Sequence, residues 1–352
     1  MLEVDVARNV KTVKPPVIGL DIGTSSVKLV ELQSVDDGLK LKIFDYVPLD
    51  PGVIVDGKII NAENVAVPIN LMVVRHNLHG RKAVISVGGL SVIHKLINLP
   101  EMSQADLNAL MDAEAEIYIP FDIADVYVDS VIIGSDTSGH MKVLLTAAKR
   151  ELVDKYLNVV IAAGLDPIYI DSDMYAMFNV FATTSEYSTD DKVILLDIGD
   201  SMMRVVAVKN GVIEFMREIP LGGALLTEEI ARERGISWLK AEQIKLETSS
   251  FPDALDLQKV YNRVVGSLVE EINRAVDFYT AVTVDGGPSK VFAFGGGAKT
   301  PTLREKLAEK LGIPVELGQP LQSIRIDTSW AKSLEERQAD LAVVIGLAMR
   351  QE

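Results

Sequence analysis

The sequence predicts an α/β protein built from two similar domains that face each other across a cleft. The main observation is an internal repeat, because Asp-Ile-Gly occurs at residues 21–23 and again at residues 197–199. The two copies start 176 residues apart (197 − 21), which is half of the 352-residue chain. Each copy lies between two short apolar runs, a pattern typical of strand, tight turn and strand. The repeat therefore indicates two related domains, each with a carboxylate at its turn.

The composition is that of a large globular protein. Hydrophobic residues make up 48% of the chain and charged residues 24%, and a chain of 352 residues is too long for one ordinary core. The net charge of −15 argues against nucleic acids and anionic membranes as partners. Without cysteine there is neither a disulfide nor a thiolate nucleophile. Residues 1–16 do not have the pattern of a signal peptide, and no apolar run is long enough to span a bilayer, so we expect a cytoplasmic protein.

The first half alternates between strand and helix patterns after an N-terminal arm at residues 1–16. Strands are predicted at 17–21, 27–33, 39–46, 84–87, 91–99, 126–133, 141–147 and 167–170, and helices at 62–78 (interrupted by Pro68), 103–116 (capped by Ser103) and 150–163. A polar linker at 183–191 follows and separates the two halves.

The second half repeats the strands and then becomes helical. Strands are predicted at 193–197, 203–208, 212–219 and 290–294, and helices across a subdomain at about 223–285, at 301–311 and at 333–350. The dipeptide Asn210-Gly211 predicts a hairpin turn. The last helix carries Leu341, Val344 and Ile345 on one apolar stripe without a basic flank, so we expect a core helix that packs back on the first domain.

The first turn has the residue types of a site for a phosphate group and a metal ion. Asp21 can hold Mg²⁺, usually through water, and Gly23 lets the backbone approach a phosphate. Thr24 and Ser25 add hydroxyl groups, and Lys28 lies on the next strand, where its ammonium can reach back. A turn formed only because its residues favour turns is the alternative. Because two copies occur in matching strand–turn–strand contexts, a ligand site is favoured over a simple turn.

The second turn offers a similar but poorer set. Asp197 can hold Mg²⁺ through water, Gly199 opens the backbone, and Asp200 and Ser201 follow. Methionines at 202–203 stand where further small or hydroxyl residues would add donors, so we expect their bulk to crowd a terminal phosphate. This difference predicts nucleotide binding without efficient hydrolysis.

A glycine run provides a third element. The strand at 290–294 leads into Gly295, Gly296, Gly297 and Ala298, just before a helix. Glycines at this point leave room for a flat or anionic ligand to approach the backbone. A flexible connector is the alternative.

The order of these motifs resembles that of the actin-like ATPases. Residues 241–245 have the sequence Ala-Glu-Gln-Ile-Lys, which is similar to the AExxK helix of that superfamily. The resemblance implies two hairpins that clamp the phosphates of ATP (or ADP) with Mg²⁺, and a glycine run that borders the adenosine. It also implies that Glu242 and Lys245 contact the ribose and the base. Thr24 and Lys28 match residues of actin's first phosphate loop.

Within that superfamily, the chain resembles the PilM family of type IV pilus assembly proteins, which is similar to FtsA. The matching stretches are residues 17–23, 99–102 with 114–120, 219–223 with 226–227, and 295–297. The implied fold class is α/β, an actin-like ATPase fold with two similar domains (17–190 and 191–352) around a nucleotide cleft. An inserted subdomain of the FtsA/PilM type is implied at about 80–148.

The resemblance also implies partners and a location. The partner would be the N-terminal cytoplasmic peptide of PilN, bound in a groove between the first subdomain and the inserted one. Other platform and motor proteins of the pilus would be further partners, and self-association stays open. The protein would be cytoplasmic and peripheral to the inner membrane through these partners, without inserting into the membrane itself.

Asp173 is the one candidate for a catalytic role. It lies at the start of an apolar helix, where actin-like proteins carry a Gln or Glu that positions the attacking water. The alternative is that Asp173 or Asp171 is only the N-cap of that helix. We therefore expect at most weak ATPase activity.

Two other functions fit the same superfamily. An FtsA-like filament protein of cell division is the first alternative, but the C-terminal amphipathic membrane helix of FtsA is not apparent in this sequence. A sugar or acid kinase is the second, but no segment supplies a convincing base for a substrate hydroxyl.

Overall fold

The computed structural model describes residues 16–350 except 37, 136–138, 185–190, 249–251, 284–285, 329, 331–333 and 335–336. Most of the N-terminal arm, part of the connection between the strands predicted at 126–133 and 141–147, and most of the predicted linker therefore lie outside the described residues.

The described chain alternates between strands and helices. The strands are β1 (Ile18–Ile22), β2 (Ser26–Val35), β3 (Gly38–Pro48), β4 (Ile54–Val55), β5 (Lys58–Ile59), β6 (Lys82–Val87), β7 (Val92–Pro100), β8 (Val126–Ser135), β9 (His140–Lys149), β10 (Asp166–Ser172), β11 (Lys192–Ile198), β12 (Met203–Lys209), β13 (Val212–Ile219), β14 (Lys290–Phe294), β15 (Val315–Leu317) and β16 (Ile324–Arg325). The helices are α1 (Glu63–Arg75), α2 (Gln104–Glu114), α3 (Arg150–Ala162), α4 (Asp173–Thr184), α5 (Ala224–Arg234), α6 (Trp238–Glu247), α7 (Leu255–Val282), α8 (Leu303–Leu311) and α9 (Ala342–Ala348).

Two mixed sheets form the two halves. The first has the order β10-β6-β1-β2-β3-β16 and the second β13-β12-β11-β14-β15. In both, an antiparallel hairpin (β1–β2, β11–β12) lies beside a parallel neighbour (β6, β14). Asn210 and Gly211 have φ of 53° and 72° at the turn between β12 and β13, which confirms the predicted hairpin.

Both sheets are covered on both faces, and one core is shared between them. Leu29 packs against α1 and α3, whereas its neighbour Val30 faces α4 and α9, as the alternation of strand side chains requires. In the second sheet, Leu196 faces α7 and Leu195 faces the shared core. Helices α4 and α9 therefore lie between the two sheets and join the halves through apolar contacts.

A smaller sheet interrupts the first half. Its order is β7-β9-β8, and α2 packs on it through Leu107 and Met111. The hydroxyl of Ser103 accepts from the Asp106 N–H at 3.2 Å, which confirms the predicted cap of α2. We call these strands with α2 the inserted sheet. It contacts β13 of the second half, where the ammonium of Lys142 lies 3.7 Å from the Glu214 carboxylate.

Two helix predictions were wrong in detail. Helix α1 runs through Pro68 without a break. The carbonyl of Asn64 would lose its helical partner there, but Asn64 is exposed, so water can replace that bond. Part of the helix predicted at 333–350 lies outside the described residues. The described part contains a 3₁₀ turn at Gln338–Leu341 and helix α9, whose residues are all buried rather than buried along one stripe. None of the described helices has both the length and the apolar character to cross a membrane.

Candidate functional site

The two Asp-Ile-Gly turns have the same backbone hydrogen bond. The N–H of Gly23 donates to the Ser26 carbonyl at 3.0 Å, and that of Gly199 donates to the Met202 carbonyl at 2.9 Å. A Cβ on Gly199 would lie 2.9 Å from that carbonyl oxygen, so a larger residue would strain the turn. Glycine is therefore required for the turn itself, as well as being permissive for a ligand.

The turns meet, although they are half a chain apart. The Thr24 hydroxyl donates to Asp200 Oδ2 at 3.4 Å, and the Ser201 hydroxyl donates to Thr24 Oγ1 at 3.3 Å. Ser25 lies at the exposed tip, and its carbonyl accepts from the Leu49 N–H at 2.9 Å. The structure thus places the residues predicted for both turns at one site between the halves.

A buried ion pair lies next to the first turn. Asp21 and Lys28 are cross-strand partners, and the Lys28 ammonium lies 2.8 Å from Asp21 Oδ2. Burial lowers the pKa of Lys28, but the carboxylates of Asp21, Asp340 and Asp197 outweigh it, so the pKa lies above its ordinary value. Lys28 is therefore a fixed positive charge at physiological pH.

The second turn has the same arrangement with a different cation. Asp197 and Arg204 are cross-strand partners, and Arg204 Nη1 donates to Asp197 Oδ2 at 2.8 Å. Arg204 Nη2 also donates to Asp173, and Nε lies 3.4 Å from Glu218 Oε1 without hydrogen-bond geometry. Burial raises the pKa of Asp197, and Arg204 opposes that rise.

Arg204 was not predicted as a site residue, although the repeat contains the signal that identifies it. Arg204 follows Asp197 by the same seven residues that separate Lys28 from Asp21. Directly opposite residues of an antiparallel pair share one face of the sheet, so the spacing predicts a second aspartate–cation pair.

Asp173 lies at this site, but not as a helix cap. It is the first residue of α4, and its carboxylate pairs with Arg204. Ser172 supplies the cap instead, because its hydroxyl accepts from the Tyr175 N–H at 3.1 Å. Asp171 pairs with Arg350 at 2.8 Å. The alternative that Asp171 or Asp173 caps the helix was therefore wrong.

The methionines after the second turn belong to the protein interior. Met203 is fully buried in the core beneath the second sheet, among Leu196 and Ala207. Met202 is buried as well, with 5% of its surface exposed. The prediction that their bulk crowds a phosphate was wrong for Met203, since its side chain packs in that core.

The glycine run makes close contacts within the protein, whereas the sequence predicted that it leaves room for a ligand. Gly295 has φ of +80°, and its N–H donates to the Ala339 carbonyl at 2.8 Å. A Cβ on Gly297 would lie 2.9 Å from the Ile198 carbonyl oxygen, so close packing against β11 explains that glycine. Gly296 is different, because its nearest neighbour would be Asp340 Oδ1 at 3.8 Å. Ala298 is fully buried.

Asp340 is a further polar residue that the sequence analysis missed. Its Oδ2 pairs with Lys299 at 2.9 Å, whereas its buried Oδ1 has no hydrogen-bond partner among the described residues. An acceptor in this position fits a hydroxyl donor of a ligand that lies against Gly296. No signal in the sequence distinguished this aspartate.

The helix predicted to contact a nucleoside lies beside the second turn. Lys245 pairs with Glu242 at 2.7 Å and donates to the Gly223 carbonyl at 3.3 Å. The Gly223 N–H in turn donates to the Gly199 carbonyl at 2.9 Å. Burial raises the pKa of Asp200, and Lys245 opposes that rise. Contacts through Gly223 thus connect α6 to the second turn.

Metal binding at this site would depend on the carboxylates near the two turns. Among the described residues, no group of three or more His, Asp or Glu side chains is arranged to hold one. Asp21 and Asp197 are each paired with a cation, and their carboxylate oxygens could also accept hydrogen bonds from the waters of a hydrated Mg²⁺.

Two comparisons with known proteins point to the same family. The sequence profile of the family described as type IV pilus assembly protein PilM matches residues 19–352. A solved structure described as a PilM-PilN type IV pilus biogenesis complex is 27% identical, with a TM-score of 0.85 over 96% of this chain and 98% of that chain.

More distant relatives share parts of the sequence or the fold. The cell division protein FtsA of Bacillus subtilis is 27% identical over 65% of this chain and 57% of its own length. This chain thus matches little more than half of that relative. The ethanolamine utilization protein EutJ from Carboxydothermus hydrogenoformans has a TM-score of 0.58 and 15% identity, covering 95% of this chain and 89% of EutJ. MreB5 of Spiroplasma citri bound to AMPPNP has a TM-score of 0.50 and 12% identity, covering 94% of each chain. These two structures show an actin-like fold alone.

Proposed function

Because this chain belongs to the type IV pilus assembly protein PilM family, we propose that it is the ATP-binding component of a pilus assembly machine. The observation that carries the proposal is the direct contact between the two turns through Thr24, Asp200 and Ser201. A ligand between the turns touches both halves at once, so its binding changes the relative stability of their arrangements.

The residues at the cleft fit a Mg²⁺–nucleotide complex. Amides of the two turns and the Lys28 ammonium would hold the phosphates, and Asp21 with Asp197 would hold Mg²⁺ through water. The metal ion would neutralise phosphate charge, which the many carboxylates of the cleft require. Glu242 and Lys245 would contact the nucleoside, and Asp340 would accept from it.

Hydrolysis is slow in this proposal. Asp173 would orient the attacking water, but its carboxylate is paired with Arg204. A carboxylate that already accepts from a guanidinium has fewer lone pairs free to hold a water molecule. ATP would therefore act mainly as a ligand that sets the conformation of the protein.

The proposed partner is the N-terminal cytoplasmic peptide of PilN. The structure 27% identical to this chain is a complex of PilM with PilN. We place this peptide between the first half and the inserted sheet. A cavity of about 60 Å³ lies there, lined among others by Lys58, Ser91, Lys149 and Lys155. Binding at this place would hold the protein at the cytoplasmic side of the inner membrane, beside other platform and motor proteins.

Calorimetry of the purified chain tests this function. We expect Mg-ATP to bind at one site, and a synthetic peptide of the PilN cytoplasmic N-terminus to bind with an affinity that depends on nucleotide. A chain that binds neither ligand would contradict the proposal. ADP release that requires a sugar would instead support a kinase.

A second candidate is a filament protein of cell division, because FtsA is 27% identical over the matched region. Co-purification from membranes of the source cell separates the two. Recovery of a single-span protein with a short cytoplasmic tail supports the pilus role. Recovery of a tubulin-like protein, with filaments visible by electron microscopy, supports the division role.

A further inference from the structure

Glu218 connects the site of the two turns to the base of the inserted sheet. Its Oε1 accepts from the Gly89 N–H at 3.1 Å, and the same oxygen lies 3.4 Å from Arg204 Nε. The Glu218 side chain is only 10% exposed, so both contacts are largely shielded from water. One carboxylate oxygen thus touches both the cation of the second turn and a backbone amide of the first half.

Gly89 belongs to the neck of the inserted sheet, which we define as residues 88–91 and 149–150. Gly88 and Gly89 lead from β6 of the first sheet into β7, and the chain returns from β9 into α3. The Lys149 N–H donates to the Ser91 carbonyl at 3.0 Å and ties the two strands of the neck together. Gly89 has φ of +89°, a conformation that other residues rarely adopt.

The neck also touches the catalytic candidate. A Cβ on Gly88 would lie 3.2 Å from Asp173 Cγ and 3.1 Å from Arg204 Nη2. Arg204, Asp173 and Glu218 therefore surround the start of the neck from β12, from α4 and from β13. A shift of the Arg204 guanidinium moves the groups against which the neck packs.

We infer that Glu218 transmits the occupation of the two turns to the neck and so sets the angle of the inserted sheet. This inference rests on the proposed function, because it assigns the contact through which nucleotide alters the partner groove.

The unequal contacts of Arg204 explain how the coupling works. Its bond to Asp197 is 2.8 Å long, whereas its contact with Glu218 is 3.4 Å and lacks hydrogen-bond geometry. A phosphate group is a competing anion for the guanidinium, and it displaces the weaker contact first. Glu218 then still accepts from the Gly89 N–H, but Arg204 no longer fixes the position of its side chain. The neck, which is held by that side chain, therefore gains freedom relative to β13. Arg204 and Glu218 are cross-strand partners on β12 and β13, so little backbone motion is needed.

The test compares two carboxylates of β13. Glu218→Gln keeps an oxygen that accepts from Gly89 but loses the charge that faces Arg204. Glu214→Gln is the matched control, because Glu214 contacts Lys142 of the inserted sheet without touching Arg204. Hydrogen exchange of the Gly89 amide is measured for each full chain with and without saturating Mg-AMPPNP, and the affinity of the PilN peptide is measured under the same conditions.

In the wild type and in Glu214→Gln, we expect nucleotide to change the exchange rate at Gly89 and to change peptide affinity by about fivefold or more. In Glu218→Gln, we expect the Gly89 exchange rate and the peptide affinity to be about the same with and without nucleotide. The affinity for nucleotide should stay within about threefold of the wild type. The inference is overturned if nucleotide changes Gly89 exchange and peptide affinity in Glu218→Gln as much as in the wild type. It is also overturned if bound nucleotide leaves Gly89 exchange unchanged in the wild type. Failure of Mg-AMPPNP to bind the wild type overturns the proposed function as well.

Discussion

The two hairpins of the repeat share a backbone but differ in the cation that follows the turn. In both, glycine closes the turn and an aspartate faces a cation across the strand pair at 2.8 Å. Among the described residues, Lys28 has one carboxylate in direct contact, whereas Arg204 contacts three, which are Asp173, Asp197 and Glu218. The first hairpin is thus built as a local charge pair, and the second as a junction between the halves.

The chemistry of the two cations explains this division. Lysine presents a compact charge on a flexible chain, which suits a phosphate group and one counter-ion. Arginine presents five N–H donors in a rigid plane, so one side chain can bind carboxylates from different elements. Here those elements are α4, β11 and β13. The comparison teaches that a repeated motif keeps its geometry while its halves take different tasks.

Replacement of the junction cation should have the largest effect. Arg204→Ala leaves three buried carboxylates without their cation, so we expect the free energy of unfolding to fall by about 4 kcal/mol. Urea unfolding at pH 7 measures this loss. A fall below about 1 kcal/mol would show that water reaches these carboxylates and that Arg204 is not a junction.

That loss should depend on pH. Burial raises the pKa values of Asp197 and Glu218 in the folded protein, and Arg204 opposes the rise. A carboxyl with a raised pKa favours the folded state at low pH, and this contribution disappears as pH rises through its folded value. Without Arg204 the folded pKa values rise further. The unfolding free energies of Arg204→Ala and wild type should therefore converge towards pH 4 and diverge towards pH 8, the pKa of a free carboxyl being about 4.

The two aspartates should respond unequally. Asp21→Ala leaves the Lys28 ammonium, which is 14% exposed, without the carboxylate that pairs with it, and we expect a loss of about 3 kcal/mol. Asp197→Ala leaves Arg204 with two other carboxylates, so the loss should be about 1 kcal/mol. Both should abolish Mg-ATP binding in calorimetry. The double variant Asp21→Ala with Lys28→Met is the control that should recover part of the stability. Equal losses for the two single variants would contradict the comparison.

Asp173→Asn tests the proposed catalytic role of Asp173, one of the carboxylates that contact Arg204. We expect residual ATP turnover to fall by about tenfold or more, because a positioned carboxylate contributes at least that much. Affinity for ATP should stay within about twofold. Turnover equal to the wild type would remove Asp173 from the hydrolysis step, and Asp200→Asn then becomes the next variant to assay.

The contact between the turns should contribute least to stability. The hydrogen bonds of Thr24 to Asp200 and of Ser201 to Thr24 are long, at 3.4 and 3.3 Å, and partly exposed. We expect Ser201→Ala to lower the free energy of unfolding by about 0.5 kcal/mol. A loss above about 2 kcal/mol would mean that the turns hold the halves together without any ligand.

Local patterns predicted most of the secondary structure. The strands around Asp21 and Asp197 follow from alternating apolar residues, and the Asn210-Gly211 turn follows from residues that adopt positive φ. The seven-residue spacing would also have predicted Arg204, had it been applied to both copies. Glu218 and Asp340 could not be found in this way, because their partners come from distant parts of the chain.

The sequence by itself determined the repeat, the two glycine turns and the family, since each depends on short-range order along the chain. Only the tertiary structure decided which charges meet. Packing brings α4 and the neck of the inserted sheet against β12 and β13, and burial there makes each carboxylate depend on one guanidinium. The same packing explains Gly295 and Gly297, which clear space for the end of β11 more than for a ligand. Contacts between distant segments depend on the three-dimensional arrangement of whole elements, and no local pattern encodes that arrangement.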